Sequence, residues 1–261
     1  MNLPSNAAAH SPLHQQLMNL TATHRFITTW QLARFTQANY GSLRSAARQM
    51  LRHMRTLEQR GWVLSLQRQI GGWQGGSSVT VWALSTAGYR QLTGSGKRQR
   101  PGAISTTYLA HILAKTEVSV VAHETVATMP SAKVTIQHEP DCWRTFLAPS
   151  GQTVTLRPDQ HLSICTPEFV DSYFVEVDLA TENPARVVRT MRRYQRYQQQ
   201  CATTNPHDVF PLVVWITPNT TRREQLGRYL AVEPGLPSWL WVAITLEQLP
   251  SIIRDGPPQP T

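Results

Sequence analysis

The chain has 261 residues and a hydrophobic content of 41%, which suits two modest domains that each bury a core. The net charge of +9 favours an anionic partner, either a nucleic acid or a membrane surface. The sequence has no apolar run long enough to span a bilayer, no secretory signal pattern at its start and no CxxC pair, so we expect a cytoplasmic protein with reduced thiols and no membrane insertion.

Positive charge is concentrated in the N-terminal part of the chain. Residues 1–115 carry 13 Lys and Arg against a single acid, Glu58, for a formal charge of +12. Residues 116–261 carry 12 Lys and Arg against 15 Asp and Glu, for a formal charge of −3. This asymmetry predicts that one half binds a polyanion and that the other concentrates acidic groups where chemistry takes place.

The pattern of residues 13–92 is typical of a winged helix-turn-helix domain, in which two helices and a turn precede a β-hairpin. Apolar periodicity and end signals predict its elements in this order: helices at 13–26, 30–35 and 43–59, strands at 62–66 and 79–84 around a glycine-rich tip at 71–76, and a closing helix from Ser85. Ser42 is a good N-cap for the long helix, and Gly61 is a good end for it. We therefore predict a DNA-binding domain at 13–92.

The helix predicted at 43–59 has an apolar face and, opposite to it, a stripe of four arginines that suits the major groove of DNA. The apolar face consists of Leu43, Ala47, Met50, Met54 and Leu57. A solvated surface is the alternative for the arginines, but the near absence of balancing acids favours DNA. We expect contacts with base edges from Arg44, Ser45, Arg48 and Gln49, and contacts with phosphates from Arg52 and Arg55.

The remainder of the chain predicts an α/β domain at 105–250, after a linker at 93–104 and before a disordered tail at 251–261. Its elements are expected in this order: a helix at 105–129, strands from 134 and at 153–164 and 173–179, a helix at 183–200, a strand at 211–216, a helix at 221–230 and a strand at 239–245. The order matches a sheet that is covered by helices on both faces, so the fold class of the whole chain is predicted as α+β.

Three carboxylates mark the predicted active site. Asp159 lies on the strand at 153–164, and Glu176 and Asp178 share one face of the strand at 173–179 because side chains alternate along a strand. If these strands are neighbours, the three side chains converge into a catalytic site that holds Mg²⁺ or Mn²⁺. Such an ion would lower the pKa of a bound water and neutralise charge on a scissile phosphate.

The helix predicted at 183–200 adds a second basic surface. Its arginines, of which Arg189, Arg193 and Arg196 are expected to contact DNA, form a stripe that suits the phosphate backbone. Tyr194 and Tyr197 lie among them. A tyrosine nucleophile is conceivable at this position, although tyrosines in such a helix more often serve as core or stacking residues.

Pro158-Asp159, Glu176-Val177-Asp178 and Tyr194, behind a winged helix, resemble the replication-relaxation family, which includes MobC-type plasmid mobilisation relaxases. The second half also resembles the PD-(D/E)XK restriction-endonuclease superfamily. The resemblance covers roughly residues 15–245. It implies metal-dependent nicking of double-stranded DNA at a plasmid transfer origin in a bacterial cytoplasm. It further implies a conjugation coupling protein and an accessory mobilisation protein as partners, and it is compatible with a homodimer.

The sequence departs from the superfamily pattern at Asp178, which stands where the superfamily has a lysine that helps activate water. Either Asp178 is an additional metal ligand and a cation elsewhere replaces the lysine, or the site is degenerate. Arg157, Arg189 and Arg193 are candidates for that cation, and Glu117 or Glu124 could add a carboxylate. The second function hypothesis is therefore a non-catalytic regulator of plasmid replication or transcription.

Overall fold

The computed structural model describes residues 11–68, 79–94, 105–148, 150–180, 183–204 and 208–256. Contacts divide the chain after Thr116 into an N-terminal and a C-terminal unit. Both units combine helices with strands, which agrees with the predicted α+β class. Within the described residues, no helix has the length and apolarity that crossing a membrane requires. The predicted glycine-rich tip, most of the predicted linker and the last five residues lie outside the described part.

The N-terminal unit contains a three-stranded antiparallel sheet with β3 in the centre, in the order β1-β3-β2. Its elements are α1 Pro12–His24, β1 Ile27–Thr28, α2 Thr29–Thr36, α3 Leu43–Gln59, β2 Val63–Arg68, β3 Val79–Leu84 and α4 Thr86–Thr93. A single turn of 3₁₀-helix, Gln37–Asn39, follows α2. The predicted bounds of α3 and β3 are confirmed.

Local end signals explain where α2 and α3 begin and end. Thr28 and Gln31 form a capping box at the start of α2, in which each side chain accepts a hydrogen bond from the other's main chain. The Ser42 hydroxyl accepts from the Ser45 N–H (3.2 Å) at the start of α3. Gly61, just beyond α3, has a φ of 72°, a conformation that glycine adopts without a steric penalty.

The apolar face of α3 lies in the core of the N-terminal unit, as predicted. Met50, Met54 and Leu57 are completely buried, together with Leu32 of α2 and Trp82 of β3. Burying a side chain of this size contributes on the order of 2 kcal/mol relative to its exposure. This packing fixes the rotation of α3 and leaves its opposite, arginine-bearing face exposed.

The next helix, α5 Thr106–Val126, begins in the N-terminal unit. The first half of α5 buries Leu109, Ile112 and Leu113 in a cluster with Phe26 and Val81. This finding differs from the predicted domain of 105–250, because the structure groups 105–116 with the preceding domain. Helical periodicity showed that this half of α5 has apolar residues to bury, but it did not show which surface covers them.

The C-terminal unit contains a five-stranded sheet in the order β10-β9-β8-β7-β4 and a separate β5-β6 hairpin. Strands β8, β9 and β10 are parallel to one another, while β4, β7 and β8 are antiparallel. The elements are β4 Lys133–His138, β5 Arg144–Leu147, β6 Thr153–Leu156, β7 Gln160–Cys165, β8 Val170–Val177, α6 Pro184–Thr204, β9 Leu212–Thr217, α7 Thr220–Ala231, β10 Trp241–Thr245 and α8 Leu249–Asp255.

Two predicted elements of this unit need correction. The strand predicted at 153–164 is interrupted, so that β6 belongs to the hairpin and β7 to the large sheet. Pro158 explains the interruption, because proline has no N–H to donate to a strand ladder. The tail predicted to be disordered from residue 251 instead begins as α8, which buries Ile252 and Ile253.

One face of the large sheet packs against α6 and α7. Phe174 of β8 and Trp215 of β9 lie in this core with Val187, Met191 and Tyr194 of α6. All five side chains are buried. Because side chains alternate along β8, the side chain of Glu176 projects toward the same side as Phe174.

Candidate active site

Asp159 and Glu176 lie next to each other at one end of the β7–β8 ladder. The last pair of that ladder is Gln160 with Val175, and the two acids are the next residues of each strand. The Asp159 N–H donates to the Val175 carbonyl (3.1 Å). The Asp159 Oδ2 atom accepts from the Val177 N–H (2.8 Å). Both acids are partly exposed. The structure therefore brings these two predicted site residues together.

The third predicted site residue, Asp178, has a different role. Its side chain is completely buried, and Oδ2 lies 2.6 Å from the Nε atom of Arg222 in α7. Its Oδ1 atom accepts from the Ala180 N–H (2.8 Å). Both oxygens thus hold the end of β8 to α7 and to the following turn. The three-carboxylate centre predicted from strand alternation is not what the structure contains.

The described residues contain no larger cluster of metal-binding side chains. Among the described residues, no group of three or more His, Cys, Asp and Glu side chains is arranged to hold a metal ion. Glu117 and Glu124, the two possible additional carboxylates, therefore do not complete such a group. Asp159 and Glu176 are the two predicted ligands that lie side by side.

Tyr194 holds Glu176 in place. Its hydroxyl donates to the Glu176 Oε1 atom (2.6 Å) from a side chain that is completely buried. Burial, followed by the negative charges of Glu176 and Asp159, raises the pKa of Tyr194 well above its ordinary value. The hydroxyl therefore remains protonated and acts as a donor. These properties do not suit the alternative of a tyrosine nucleophile, which needs access to the phosphate and a readily lost proton.

Cationic groups near the carboxylates differ in their availability. Arg157, two residues before Asp159, is exposed and lies with its guanidinium carbon 4.7 Å from the centre of the Trp143 ring. His161 is not a cation at neutral pH, because burial and then the charge of Arg144 lower its pKa to about 4. Arg157 is therefore the positive side chain nearest in sequence to the candidate site.

Arg189, Arg192, Arg193 and Arg196 of α6 fall into two groups. Arg189, Arg193 and Arg196 are exposed, in agreement with the predicted basic stripe. Arg192 instead bonds through Nε to the Glu233 carboxylate (3.0 Å) and so connects α6 to the segment after α7. Only the first group is positioned on the surface as phosphate contacts require.

The basic face of α3 is also exposed. Arg44, Arg48 and Arg52 project from the unit, and Ser45 and Gln49 are partly accessible beside them. Arg55 differs, because its guanidinium bonds to Glu58 (2.8 Å) and lies 5.6 Å from the centre of the Trp82 ring. A phosphate contact by Arg55 would have to compete with that ion pair.

Sequence reasoning missed Arg222 and the role of Tyr194 as a donor. Arg222 is 44 positions away from Asp178, and no local pattern predicts their pairing. The spacing of Tyr194 on the apolar face of α6, with Val187 and Met191, was a usable signal that it points toward the sheet.

The family model described as replication-relaxation matches residues 18–213. No curated protein matches the chain. The family match covers most of the 261 residues and includes α2, α3, both site carboxylates and Tyr194. The chain therefore belongs to the replication-relaxation family.

Proposed function

We propose that the protein binds double-stranded DNA and nicks one strand at a plasmid transfer origin, using a divalent metal ion. The observation that carries this proposal is the adjacency of Asp159 and Glu176 at the end of the β7–β8 ladder. Two neighbouring carboxylates repel each other unless a cation or a proton lies between them. Membership of the replication-relaxation family supports a role in the processing of plasmid DNA.

The residues at the site fit Mg²⁺ or Mn²⁺. Mg²⁺ is commonly held by one or two carboxylates and keeps several of its waters, so a third protein carboxylate is not required. The bound ion would supply an activated water and neutralise charge on the scissile phosphate. The chain's contribution is orientation, because the Val177 N–H holds Asp159 and the Tyr194 hydroxyl holds Glu176.

The order of elements supports the two proposed domains. Helix α5 is followed by β4, β7 and β8, then by α6 and β9, with the β5–β6 hairpin inserted after β4. This is the α-β-β-β-α-β order that we propose to be a PD-(D/E)XK-like core. In the N-terminal unit, α2, a turn and α3 precede the β2–β3 hairpin, which suits a winged helix.

DNA would contact exposed arginines of both units. We propose that Arg44, Ser45, Arg48 and Gln49 contact bases and that Arg52 contacts phosphate, since these residues lie on the exposed side of α3. The exposed arginines of α6 would contact the backbone of the DNA that is cleaved. A coupling protein, an accessory mobilisation protein and a second copy of the chain are proposed as partners on the basis of the family resemblance.

The position of the superfamily lysine requires a different arrangement here. Asp178 occupies that position and binds Arg222 inside the fold, so neither residue is offered to a substrate. Arg157 is the candidate cation, and it would stabilise negative charge on the phosphate rather than accept a proton, because arginine stays protonated. Water would attack phosphorus and give up a proton to solvent, the bond from phosphorus to one sugar oxygen would break, and that oxygen would leave with a proton taken from solvent.

Asp178 also favours a second function. With Asp178 committed to Arg222, the site has two carboxylates and no lysine, which suits a degenerate nuclease domain. The protein would then regulate plasmid replication or transcription through its N-terminal unit. The two functions differ in one measurable property, which is metal-dependent cleavage.

Nicking of supercoiled plasmids that carry candidate transfer origins tests the proposal. We expect the wild-type chain to produce open circles with Mn²⁺ and none with EDTA. Asp159→Asn and Glu176→Gln should abolish nicking while retaining DNA binding. Asp171→Asn is the matched control, because this partly buried acid lies near the other end of β8 and should leave nicking unchanged. Cleavage by the two site variants at the wild-type rate would contradict the metal mechanism.

A further inference from the structure

Strand β10 forms one edge of the five-stranded sheet, and its outward main-chain groups can be identified. The Asp178 N–H donates to the Ile216 carbonyl, so the main chain of Ile216 faces β8. Because main-chain groups alternate in direction along a strand, Trp215 faces β10, where it is aligned with Ala243. In a parallel ladder Trp215 bonds to the residues on either side of Ala243. The N–H and carbonyl of Ala243 therefore point away from the sheet.

A groove with a volume of about 520 Å³ runs along this edge. Its floor includes Val242, Ala243 and Ile244 of β10, and its sides include Arg223 of α7 and Ile252 and Asp255 of α8. We name this feature the β10 edge groove. An edge strand with outward hydrogen-bonding groups and an apolar floor is a template for a further strand.

The two charged side chains of the β10 edge groove, Arg223 and Asp255, lie toward opposite ends of β10. Gln248 Oε1 accepts from both the Thr245 N–H (3.0 Å) and Arg223 (3.4 Å), which places Arg223 at the C-terminal end of β10. From there α8 extends back over the sheet, since the Ile252 carbonyl accepts from the hydroxyl of Tyr173 in β8 (3.3 Å).

Asp255, which follows Ile252 in α8, therefore lies toward the N-terminal end of β10. The alignment of residues between neighbouring strands supports this position. Tyr173 is aligned with Leu212, whereas the first residue of β10 is aligned with Val213. Tyr173 thus lies level with the start of β10.

We propose that a second copy of this chain binds in the β10 edge groove, with the two β10 strands antiparallel about a two-fold axis at Ala243. Residue 243 of each copy then exchanges N–H and carbonyl hydrogen bonds with residue 243 of the other. The antiparallel arrangement also brings Arg223 of each copy toward Asp255 of the second copy. Such self-complementarity is what a two-fold symmetric interface requires.

The charge pattern favours a second copy over an unrelated extended peptide. One groove carries a cation at one end and an anion at the other, and a copy rotated by the two-fold axis presents the matching charge at each position. Arg223 has contacts of 3.4 Å with Gln248 and Glu224, so it can exchange these long contacts for a carboxylate of the second copy. The proposal does not depend on nuclease activity.

Sedimentation equilibrium of the full chain tests the interface. We expect a dimer for the wild type, a monomer for Ala243→Pro and a dimer for the control Ala243→Ser. Proline removes the N–H that the second strand needs, yet it is tolerated on an edge strand, whereas serine keeps the N–H. Arg223→Asp and Asp255→Arg should each raise the dimer dissociation constant roughly tenfold. The double variant R223D/D255R should return to within about threefold of the wild type.

Three outcomes would overturn the proposal. The first is a wild-type chain that stays monomeric up to roughly 100 µM. The second is a dimer that both Ala243→Pro and the charge reversals leave unchanged. The third is a dimer that forms only after truncation at Gly256, because the chain's own last residues would then be the occupant of the groove. Rescue by R223D/D255R supports the interface even if Ala243→Pro fails to fold.

Discussion

Two sets of arginines, one in each unit, have different surroundings. On α3 of the N-terminal unit, Arg44, Arg48 and Arg52 are exposed in a part of the chain whose first 115 residues contain one acid. In the C-terminal unit, Arg192 and Arg222 are bound to carboxylates of other elements. The first arrangement leaves charge for a ligand, and the second uses charge to hold the fold. The same residue type thus serves binding or structure according to the acids around it.

Breaking the buried ion pair should have the largest effect. We expect Asp178→Ala to lower the free energy of unfolding by about 3–5 kcal/mol, because the charge of Arg222 would stay buried without its partner. The double variant D178L/R222M should recover most of this loss, since it removes both charges. Urea denaturation followed by circular dichroism measures both effects.

Asp178→Lys tests the structural role of Asp178 through DNA cleavage as well as through stability. This substitution restores the superfamily lysine, but it places a cation against Arg222, so we expect loss of stability and no gain of cleavage. A stable Asp178→Lys variant that nicks DNA faster than the wild type would contradict the structural role of Asp178.

The contribution of α5 to the N-terminal unit predicts a difference between two fragments. A fragment that ends at Thr116 should be more stable than one that ends at Leu92, by about 3 kcal/mol, because only the longer fragment covers Phe26 and Val81 with the first half of α5. Thermal unfolding of both fragments measures the difference. Equal stability would mean that the first half of α5 does not belong to this unit.

Arginines on α3 should differ in how much they contribute to DNA binding. We expect Arg48→Ala to weaken duplex binding by about 1–3 kcal/mol if it contacts a guanine, with the loss confined to some sequences. Arg55→Ala is the comparison, and its effect should be smaller because Arg55 is already bound to Glu58. Fluorescence anisotropy with several duplexes measures both. A larger loss for Arg55→Ala would contradict the assignment of the exposed stripe.

Removal of the Tyr194 hydroxyl should change stability the least of these substitutions. It should also raise the Mn²⁺ concentration that nicking requires. Tyr194→Phe removes one hydrogen bond, which costs on the order of 1 kcal/mol of stability, and it leaves Glu176 without the donor that orients it. The Mn²⁺ concentration for half-maximal nicking should rise about tenfold. Tyr197→Phe is the control, and an equal change in that variant would show that the effect is not specific to Glu176.

Local patterns predicted the N-terminal unit well and the site only in part. The bounds of α3 followed from Ser42, Gly61 and a helical period, all of which act within a few residues of one another. The pairing of Asp178 with Arg222 depends on how β8 and α7 pack. The residues that neighbour Asp178 in the sequence do not indicate this packing. Asp178 follows the last residue of β8, so strand alternation alone did not determine where its carboxylate goes.

Two prolines are local signals for features that the predicted elements lack. Pro158 should have divided the strand predicted at 153–164, because a proline inside a central strand is a reason against that assignment. Pro250, with Ile252 and Ile253 two and three residues later, resembles the start of an amphipathic helix more than a disordered tail. The packing of the first half of α5 had no such signal, because its apolar residues suit either unit.

We propose that Asp159 and Glu176 form one metal site and that Asp178 does not belong to it. Anomalous diffraction from a crystal of the full chain soaked in Mn²⁺ tests this claim most directly. We predict one Mn²⁺ peak within coordination distance of the carboxylates of both Asp159 and Glu176, with the Asp178–Arg222 pair intact. A Mn²⁺ ion bound to Asp178, or no ion at Asp159 and Glu176 at saturating Mn²⁺, would contradict it.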